Sequence, residues 1–231
     1  MARIAVITVT YNTPKADIIR LKKETKCLSP QAFIVIDNTH NHNGFAKGVN
    51  EGICQALSLK PKPDQLLIMN PDIHFTKLSQ KSVQEVCSAY DIWGGVIQQH
   101  GKTYYKGVID PNNLSGGLSQ TPPATNPYPV DFVSGSCMGI RASIVPRVGL
   151  LNETYHMYYE DVEWCYRATK KGCTVGATTS ITYDHFENST KYPKKDYYLT
   201  RNRLLFLWQH GSLWQKIHEL LTIPKHIKKL L

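Results

Sequence analysis

Several acidic side chains lie at or near the ends of predicted structural elements, where they could take part in chemistry. Asp37 ends one apolar segment and Asp72 follows another, whereas Glu160 and Asp161 open a stretch with helical character. In open α/β sheets, ligands bind beyond the carboxyl ends of the strands. Carboxylates there can hold a divalent cation or remove a proton from a substrate. The pattern therefore predicts a functional site that contains these groups.

The residues around Asp72 predict that its carboxylate is presented rigidly after a buried strand. The apolar run at 66–69 stops at Asn70 and Pro71, because proline has no N–H to donate and biases the preceding residue towards an extended conformation. A cation at Asp72 would need further ligands, and diphosphate oxygens supply them readily. His185, at the end of a later strand, is a candidate second protein ligand. An ordinary turn at Asp72 and a structural hydrogen bond at His185 are the alternatives.

Glu160 and Asp161 stand where an amphipathic helix is predicted to begin. The helix dipole favours carboxylates at this position, which is a sufficient reason for one of the two. A carboxylate beside aromatic side chains can also act as a general base, and sugar rings stack on aromatic faces. The aromatic residues nearby in the sequence are Tyr155, Tyr158, Tyr159 and Trp164.

Glycines recur every four residues in the segment 43–52, at Gly44, Gly48 and Gly52. The segment lacks both G-x-G-x-x-G and the P-loop pattern, so neither a dinucleotide site nor a P-loop is indicated. Two interpretations stay open. The glycines either let a helix pack closely on the sheet, or let backbone N–H groups approach a phosphate.

The order of predicted elements indicates an α/β domain with a Rossmann-like, mostly parallel sheet flanked by helices. A hydrophobic content of 42% and a charged content of 19% are typical of a globular protein. No second domain is indicated. We expect strands at 4–12, 33–38, 66–69, 92–98 and 174–185, helices at 14–25, 78–90 and 160–172, and a loop at 108–130. The segment 41–57 is expected to turn helical, and 130–145 to return to strand and then turn towards a helix.

Basic residues are concentrated near the carboxyl end of this chain, whose net charge is +9. From Lys191 onward, nine Lys and Arg residues stand against Asp196 and Glu219. Such a segment suggests phosphate groups, of nucleic acid or of a membrane surface, and no recognised nucleic-acid motif accompanies it. Apolar residues at helical spacing over 213–231 predict an amphipathic helix that Pro224 kinks or divides.

This tail fits two interpretations: a last helix packed on the domain, and an interfacial helix on an anionic membrane. We expect the second. The start of the sequence does not match a signal peptide, and no apolar run reaches the ~20 residues that span a bilayer. The expected location is cytoplasmic, peripheral on the inner face of the cell membrane.

An ordered set of motifs resembles the inverting family-two glycosyltransferases, and within them the bacterial rhamnosyltransferase-like subgroup. The motifs are TVTYN, VIDN, NGFAKGVNEG, NPDI, SGSCMGIR, YYEDVEWCYR, His185 and YYLTRNR, which together cover about residues 3–206. Each motif alone is weak, but their order along the chain is specific. The resemblance implies a GT-A fold, which we expect over 1–206, and the charge and apolar spacing described above predict a basic amphipathic helical segment at 207–231. It also implies a nucleotide-sugar donor and a divalent metal, Mg²⁺ or Mn²⁺.

The resemblance also implies roles for individual residues. Asp161 matches the catalytic base, and Asp72 and His185 match the metal ligands, with Asn70 in place of the first carboxylate of D-x-D. Glu160, Tyr159 and Trp164 would lie on the acceptor or sugar side. The implied donor-binding residues are Thr10, Asn12, Asp37, Asn43, Gly44, Gly48, Asn50, Arg201 and Asn202.

The resemblance favours dTDP-rhamnose as the donor, and a saccharide or polyprenyl-linked acceptor in cell-surface polysaccharide synthesis. UDP-galactose and UDP-galactofuranose are the alternative donors. A nucleotidyltransferase is a more distant alternative, because that class also pairs a Rossmann-like sheet with metal-binding carboxylates. It would require a basic loop near the amino terminus to bind a triphosphate, and the first strand leads instead to Thr10-Tyr11-Asn12-Thr13.

Overall fold

The computed structural model describes residues 2–41, 43–186 and 194–227, with side chains up to residue 221. Seven helices lie in this part of the chain: α1 (Lys15–Glu24), α2 (Phe45–Ser58), α3 (Gln80–Ala89), α4 (Val145–Val148), α5 (Glu160–Lys170), α6 (Lys195–His210) and α7 (Leu213–Ile227). The strands there are β1 (Ile4–Thr10), β2 (Ala32–Asp37), β3 (Gln65–Met69), β4 (Ile73–Lys77), β5 (Ile92–Gln99), β6 (Lys102–Tyr104), β7 (Lys106–Ile109), β8 (Gly116–Ser119), β9 (Tyr128–Pro129), β10 (Cys137–Arg141) and β11 (Val175–His185).

The main sheet has the strand order β2-β1-β3-β10-β5-β11-β4, with β6 added to β5 and β9 to β11. β1 is parallel to β2 and β3, and β11 is parallel to β5. β10 is antiparallel to both of its neighbours, and β4 is antiparallel to β11. The carboxyl ends of β1, β2, β3, β5 and β11 therefore meet at one edge, where β10 and β4 begin.

Both faces of the sheet are covered, which follows from the continuous apolar sequence of its inner strands. All residues of β1 and β3 are buried. Ile7 and Val9 pack with α2, α5 and α6 on one face, whereas Ile4 and Val6 pack with α1 and α3 on the other. This alternation along β1 is the period of two that a strand imposes on its side chains.

The predicted α/β class, the mostly parallel sheet and its principal strands and helices are confirmed. β3 ends at Met69, directly before Asn70 and Pro71, as their chemistry predicts. The segment predicted as a loop at 108–130 is wrong in part, because β8 and β9 lie within it and pair with β7 and β11. β4 was not predicted, since a strand that follows a turn so closely leaves only a short, mixed sequence pattern.

Near the carboxyl end, the described residues form α6 and α7. α7 continues through Pro224, so the proline does not divide the segment in two. The predicted domain boundary between 206 and 207 lies inside α6, whose Phe206 and Leu207 both belong to the core. Each helix in the described part of the chain is too short or too polar to cross a membrane.

Candidate active site

The ends of β1 and β2 place Thr10 beside Asp37, as their parallel register requires. The Thr10 hydroxyl is 3.4 Å from Oδ1 of Asp37, and the backbone N–H of Thr39 donates to the same oxygen at 3.0 Å. Hydrogen bonds from Thr39 are the main reason why the pKa of Asp37 lies below its usual value. Asn12, in a left-handed conformation, donates its backbone N–H to the Thr39 hydroxyl. The exposed Asp37 carboxylate is thus held ionised at the sheet edge.

The glycine segment is fixed to this edge by Asn38, which is buried. Its side-chain amide donates to the carbonyls of Asn43 and Gly44 at 3.0 and 3.2 Å. A Cβ on Gly44 would lie 2.3 Å from the backbone oxygen of His156, so only glycine allows this approach. The start of α2 is therefore held between the end of β2 and the loop around His156.

Gly48, Asn50 and Gly52, later in α2, are buried. A Cβ on Gly48 would lie 2.7 Å from the Val9 side chain, and one on Gly52 would lie 2.3 Å from Ile7. The side chain of Asn50 exchanges two hydrogen bonds with the backbone of Leu151, each 2.9 Å long. Close packing of a helix on the sheet therefore accounts for Gly48 and Gly52. The donor contacts implied for Gly48 and Asn50 stay predictions.

Asp72 and His185, far apart in the sequence, face each other at the same edge. Residue 185 pairs with Ile73 in the β11–β4 register, and Nε2 of His185 lies 3.6 Å from Oδ1 of Asp72. Both side chains are mostly buried. His185 also borders an open cleft of about 620 Å³, formed with the turn between β5 and β6. Clefts of this size are typical of ligand sites.

This pair fits the chemistry of a divalent-cation site in part. One carboxylate oxygen and one imidazole nitrogen are ligands that Mn²⁺ and Mg²⁺ accept, and their spacing allows both to reach one ion. In residues 2–41, 43–186 and 194–227, no three His, Cys, Asp or Glu side chains cluster as a metal site. A cation at this site would therefore need further oxygen ligands from a bound molecule such as a diphosphate.

Asp161 is held by two backbone N–H groups at the start of α5. Gly135 donates to Oδ2 and Val162 donates to Oδ1, both at 2.8 Å. The side chain is partly exposed, and removal of solvent around it raises the pKa of the carboxyl. An oriented carboxylate with a raised pKa has the properties of a general base.

The segment 134–136 connects Asp161 to the Asp72–His185 pair. The backbone N–H of Asn70 donates to the carbonyl of Ser136 at 2.9 Å. The Ser136 hydroxyl is 2.8 Å from the hydroxyl of Tyr183, which precedes His185 by two positions on β11. The same short segment that holds Asp161 therefore also fixes the ends of β3 and β11.

Glu160 lies beside Asp161 but is buried. Its pKa is raised well above the usual value, first by burial and second by the charge of Asp161. Oε2 of Glu160 has no hydrogen-bond partner within the described part of the chain. The two adjacent carboxyl groups thus differ: Asp161 is oriented by donors, whereas Glu160 is favoured in its neutral form.

The loop that leads into α5 has an unusual backbone conformation. His156, Tyr158 and Tyr159 have backbone φ angles of 57°, 67° and 68°, which residues other than glycine rarely adopt. The buried amide of Asn202 donates to the carbonyls of residues 155, 157 and 158 at 2.7, 2.8 and 2.8 Å. Arg201 donates to Oδ1 of Asn202 at 2.6 Å. Arg201 and Asn202, which the resemblance implies as contacts of the nucleotide sugar, therefore support the loop that leads into α5.

Three of the four aromatic residues near Glu160 and Asp161 belong to the core, namely Tyr155, Tyr159 and Trp164. Trp164 is fully buried, and its indole N–H donates to the carbonyl of Gly149 at 2.8 Å. The prediction that Trp164 lies on the acceptor side is wrong, because its side chain faces inward from α5. Tyr159 is 8% exposed, and its hydroxyl accepts a hydrogen bond from the N–H of Gly116.

Sequence reasoning missed Asn38, Thr39, Gly135 and Ser136. Asn38 and the SGS segment lay inside quoted motifs, so their position was a usable signal. The contacts of Gly135 with Asp161, and of Ser136 with Asn70 and Tyr183, gave no such signal, because only the tertiary fold brings these partners together.

Comparison with known proteins shows relatives among glycosyltransferases. No protein-family model matches the chain. The low-salt glycan biosynthesis hexosyltransferase Agl10 of Haloferax volcanii is 31% identical over 171 residues, which are 65% of this chain and 50% of that protein. The N-acetylglucosaminyl-diphospho-decaprenol L-rhamnosyltransferase of Mycobacterium tuberculosis is 23% identical over 203 residues, 74% of this chain and 66% of that one. The chain thus spans between half and two thirds of these curated relatives.

Solved structures share the fold at low sequence identity. GalNAc-T7, crystallised with UDP, GalNAc and Mn²⁺, matches with a TM-score of 0.64 and 13% identity over 80% of this chain and 43% of its own. Drosophila β1,4-galactosyltransferase 7, in complex with xylobiose, matches with a TM-score of 0.54 and 13% identity over 82% of this chain and 73% of its own. The predicted GT-A fold is confirmed, and the sequence is similar to those of glycosyltransferases.

Proposed function

We propose that this chain is an inverting glycosyltransferase that moves a sugar from a nucleoside diphosphate to an acceptor hydroxyl. The observation that carries the proposal is the connection through residues 134–136. One side of this segment orients the Asp161 carboxylate, and the other fixes the edge that bears Asp72 and His185. A base, and an edge whose Asp72 and His185 could hold a divalent cation, are connected by one segment, which suits a displacement in which a diphosphate leaves.

The reaction is a single displacement at the anomeric carbon. Asp161 accepts the proton of the acceptor hydroxyl while that oxygen forms a bond to the anomeric carbon. The bond from this carbon to the diphosphate oxygen breaks on the opposite face, so the configuration inverts. Gly135 and Val162 keep the carboxylate aimed at the hydroxyl, since each donates to one of its oxygens.

Asp72 and His185 are the residues that would hold a divalent cation. Such a cation, when bound, neutralises charge on the leaving diphosphate. GalNAc-T7 and a mutant of Drosophila β1,4-galactosyltransferase 7 are structural neighbours that were crystallised with Mn²⁺. They support the proposal that the activity of this chain depends on a divalent metal, Mn²⁺ or Mg²⁺. Thr10, Asn12 and Asp37 are proposed to contact the nucleotide base.

Further contacts with the sugar donor are proposed for Asn43 and Gly44 at the start of α2, and those implied for Gly48, Asn50, Arg201 and Asn202 stay predictions. The donor proposed first is dTDP-rhamnose, with UDP-galactose and UDP-galactofuranose as alternatives. The mycobacterial relative is named for transfer of an L-rhamnosyl group to an N-acetylglucosaminyl-diphospho-decaprenol acceptor. It supports a polyprenyl-linked acceptor in cell-surface polysaccharide synthesis for this chain.

A donor panel tests the proposal. We expect dTDP or UDP together with Mn²⁺ to raise the melting temperature, and ATP or DNA to leave it unchanged. Release of nucleoside diphosphate from one of the candidate sugar donors, in the presence of a polyprenyl-diphosphate saccharide, identifies the substrate. Stabilisation by ATP alone, together with pyrophosphate release, would favour the nucleotidyltransferase alternative.

A further inference from the structure

Helix α7 packs on the protein by its polar side and exposes its apolar side. Leu213, Trp214, Leu220 and Leu221 are 73%, 80%, 67% and 71% exposed. At 100° per residue these positions share one side of the helix with Ile217. A helix that merely completed a globular core would have the opposite orientation.

Hydrogen bonds and an ion pair fix this orientation. Glu219, on the inner side of α7, is buried and forms an ion pair with Arg203 of α6. The side-chain amide of Gln215 donates to the carbonyl of Pro111 at 2.6 Å. Both contacts use the polar side of α7, so rotating the helix to bury its leucines would break them.

The apolar surface extends onto α6. Trp208 is 71% exposed, and Leu204, one turn earlier, is 37% exposed. The Lys216 ammonium lies 5.2 Å from the centre of the Trp208 ring, which joins the two helices at this surface. We name this surface the α6–α7 apolar face, defined by Leu204, Trp208, Leu213, Trp214, Leu220 and Leu221.

We propose that the α6–α7 apolar face binds an anionic lipid bilayer. Two exposed tryptophans suit the boundary between lipid and water, where amphipathic rings are favoured. The chain from Lys191 onward carries nine basic residues and two acidic ones, and Lys225, Lys228 and Lys229 follow the face in the sequence. Anionic headgroups complement this charge, whereas a second copy of the chain would bring like charges together.

This proposal is independent of the enzymatic activity, so it can fail or hold separately from it. The full chain is mixed with vesicles of phosphatidylcholine alone or with phosphatidylglycerol added, and the bound fraction is measured by co-sedimentation. We expect binding to the anionic vesicles to be stronger by about tenfold or more at low salt, and to weaken as salt is raised. No binding to anionic vesicles at low salt would overturn the proposal.

Variants distinguish vesicle binding by the α6–α7 apolar face from nonspecific binding by exposed apolar residues elsewhere on the protein. The double variant Trp214→Ser with Leu221→Ser removes exposed side chains only, so its melting temperature should stay near that of the wild type. Its vesicle affinity should fall by about tenfold or more, because buried apolar area contributes directly to partitioning. The matched control is Ile19→Ser, since Ile19 is 68% exposed on α1 and outside the face.

Equal binding by the double variant and the wild type, or an equal loss in the control, would contradict the assignment. Light scattering tests the competing occupant. A wild-type dimer that the double variant turns into a monomer, without any vesicle binding, would show that the face joins two copies of the chain.

Discussion

Three carboxyl groups at the candidate site show how their surroundings set their chemistry. Asp37 accepts hydrogen bonds from Thr39, which lowers its pKa. Asp161 also accepts backbone hydrogen bonds, but loss of solvent outweighs them and raises its pKa. Glu160 is buried beside that charge, and its pKa is raised further. Only Asp161 combines orientation, partial exposure and a raised pKa, which are the properties that a general base requires.

The raised pKa of Asp161 predicts the acidic side of the pH–rate profile. The ionised form accepts the proton, so turnover should fall as the pH drops through this pKa, at a pH above the ordinary aspartate value of 3.8. The measurement is kcat against pH, with nucleotide binding followed in parallel to separate loss of binding from loss of turnover. A constant kcat down to pH 3.8 with binding intact would contradict the base assignment.

Asn202 is predicted to act on the reaction through the backbone that positions Asp161. Asn202→Leu leaves three carbonyls of the strained loop without their donor, at a cost of roughly 1–3 kcal/mol of stability. We expect kcat to fall by more than KM for the donor changes. Thr25→Val is the matched control, because it removes a buried hydrogen bond to Leu21 in a distant helix.

Loss of stability in both variants, with kcat reduced only in Asn202→Leu, would support the positioning role. Equal kcat values in the two variants would show that Asn202 is structural only.

At the scale of single residues, the sequence predicted the pair Asp72 and His185 because each one ends or follows a strand. It did not predict the environment of Trp164. The sequence does not show whether an aromatic side chain three positions after Asp161 faces the core or the site, because that depends on which side of the helix packs on the sheet. That information resides in the contact between α5 and the core, where the Trp164 indole bonds to Gly149.

At the scale of elements, α2 shows how sequence spacing translates into packing. Glycines at every fourth position line one side of a helix, and this side meets β1. The sequence left open whether that spacing serves packing or phosphate approach. The structure assigns Gly48 and Gly52 to packing and puts Gly44 at the start of the helix, facing the loop around His156.

Gly52→Ala should destabilise the protein by roughly 1–3 kcal/mol, because the added methyl would lie 2.3 Å from the Ile7 side chain. The matched control is Gly117→Ala in β8, where a Cβ would meet no atom within 4 Å. Urea unfolding of the two variants measures the difference. Equal stability of both would mean that α2 shifts away from β1 at little cost.

At the scale of the whole molecule, the candidate site is assembled from distant parts of the chain. Residues 134–136 directly precede β10, an antiparallel strand that lies between β3 and β5 in the sheet. A purely local pattern cannot show this insertion, since the sequence of β10 resembles that of any buried strand. The order of motifs indicated which segments belong to the site, and the sheet topology determines how they meet.

One set of titrations tests the central claim, which assigns the base to Asp161 and the metal-dependent nucleotide edge to Asp72. Binding of nucleoside diphosphate with and without Mn²⁺, and transfer from the best donor, are measured for the wild type, Asp161→Asn and Asp72→Ala. We expect Asp161→Asn to bind the nucleotide nearly normally but to lose ~10²–10⁴ in rate. Asp72→Ala should lose the Mn²⁺ dependence of binding. More than about half of wild-type turnover in Asp161→Asn, or unchanged Mn²⁺ dependence in Asp72→Ala, would contradict the account.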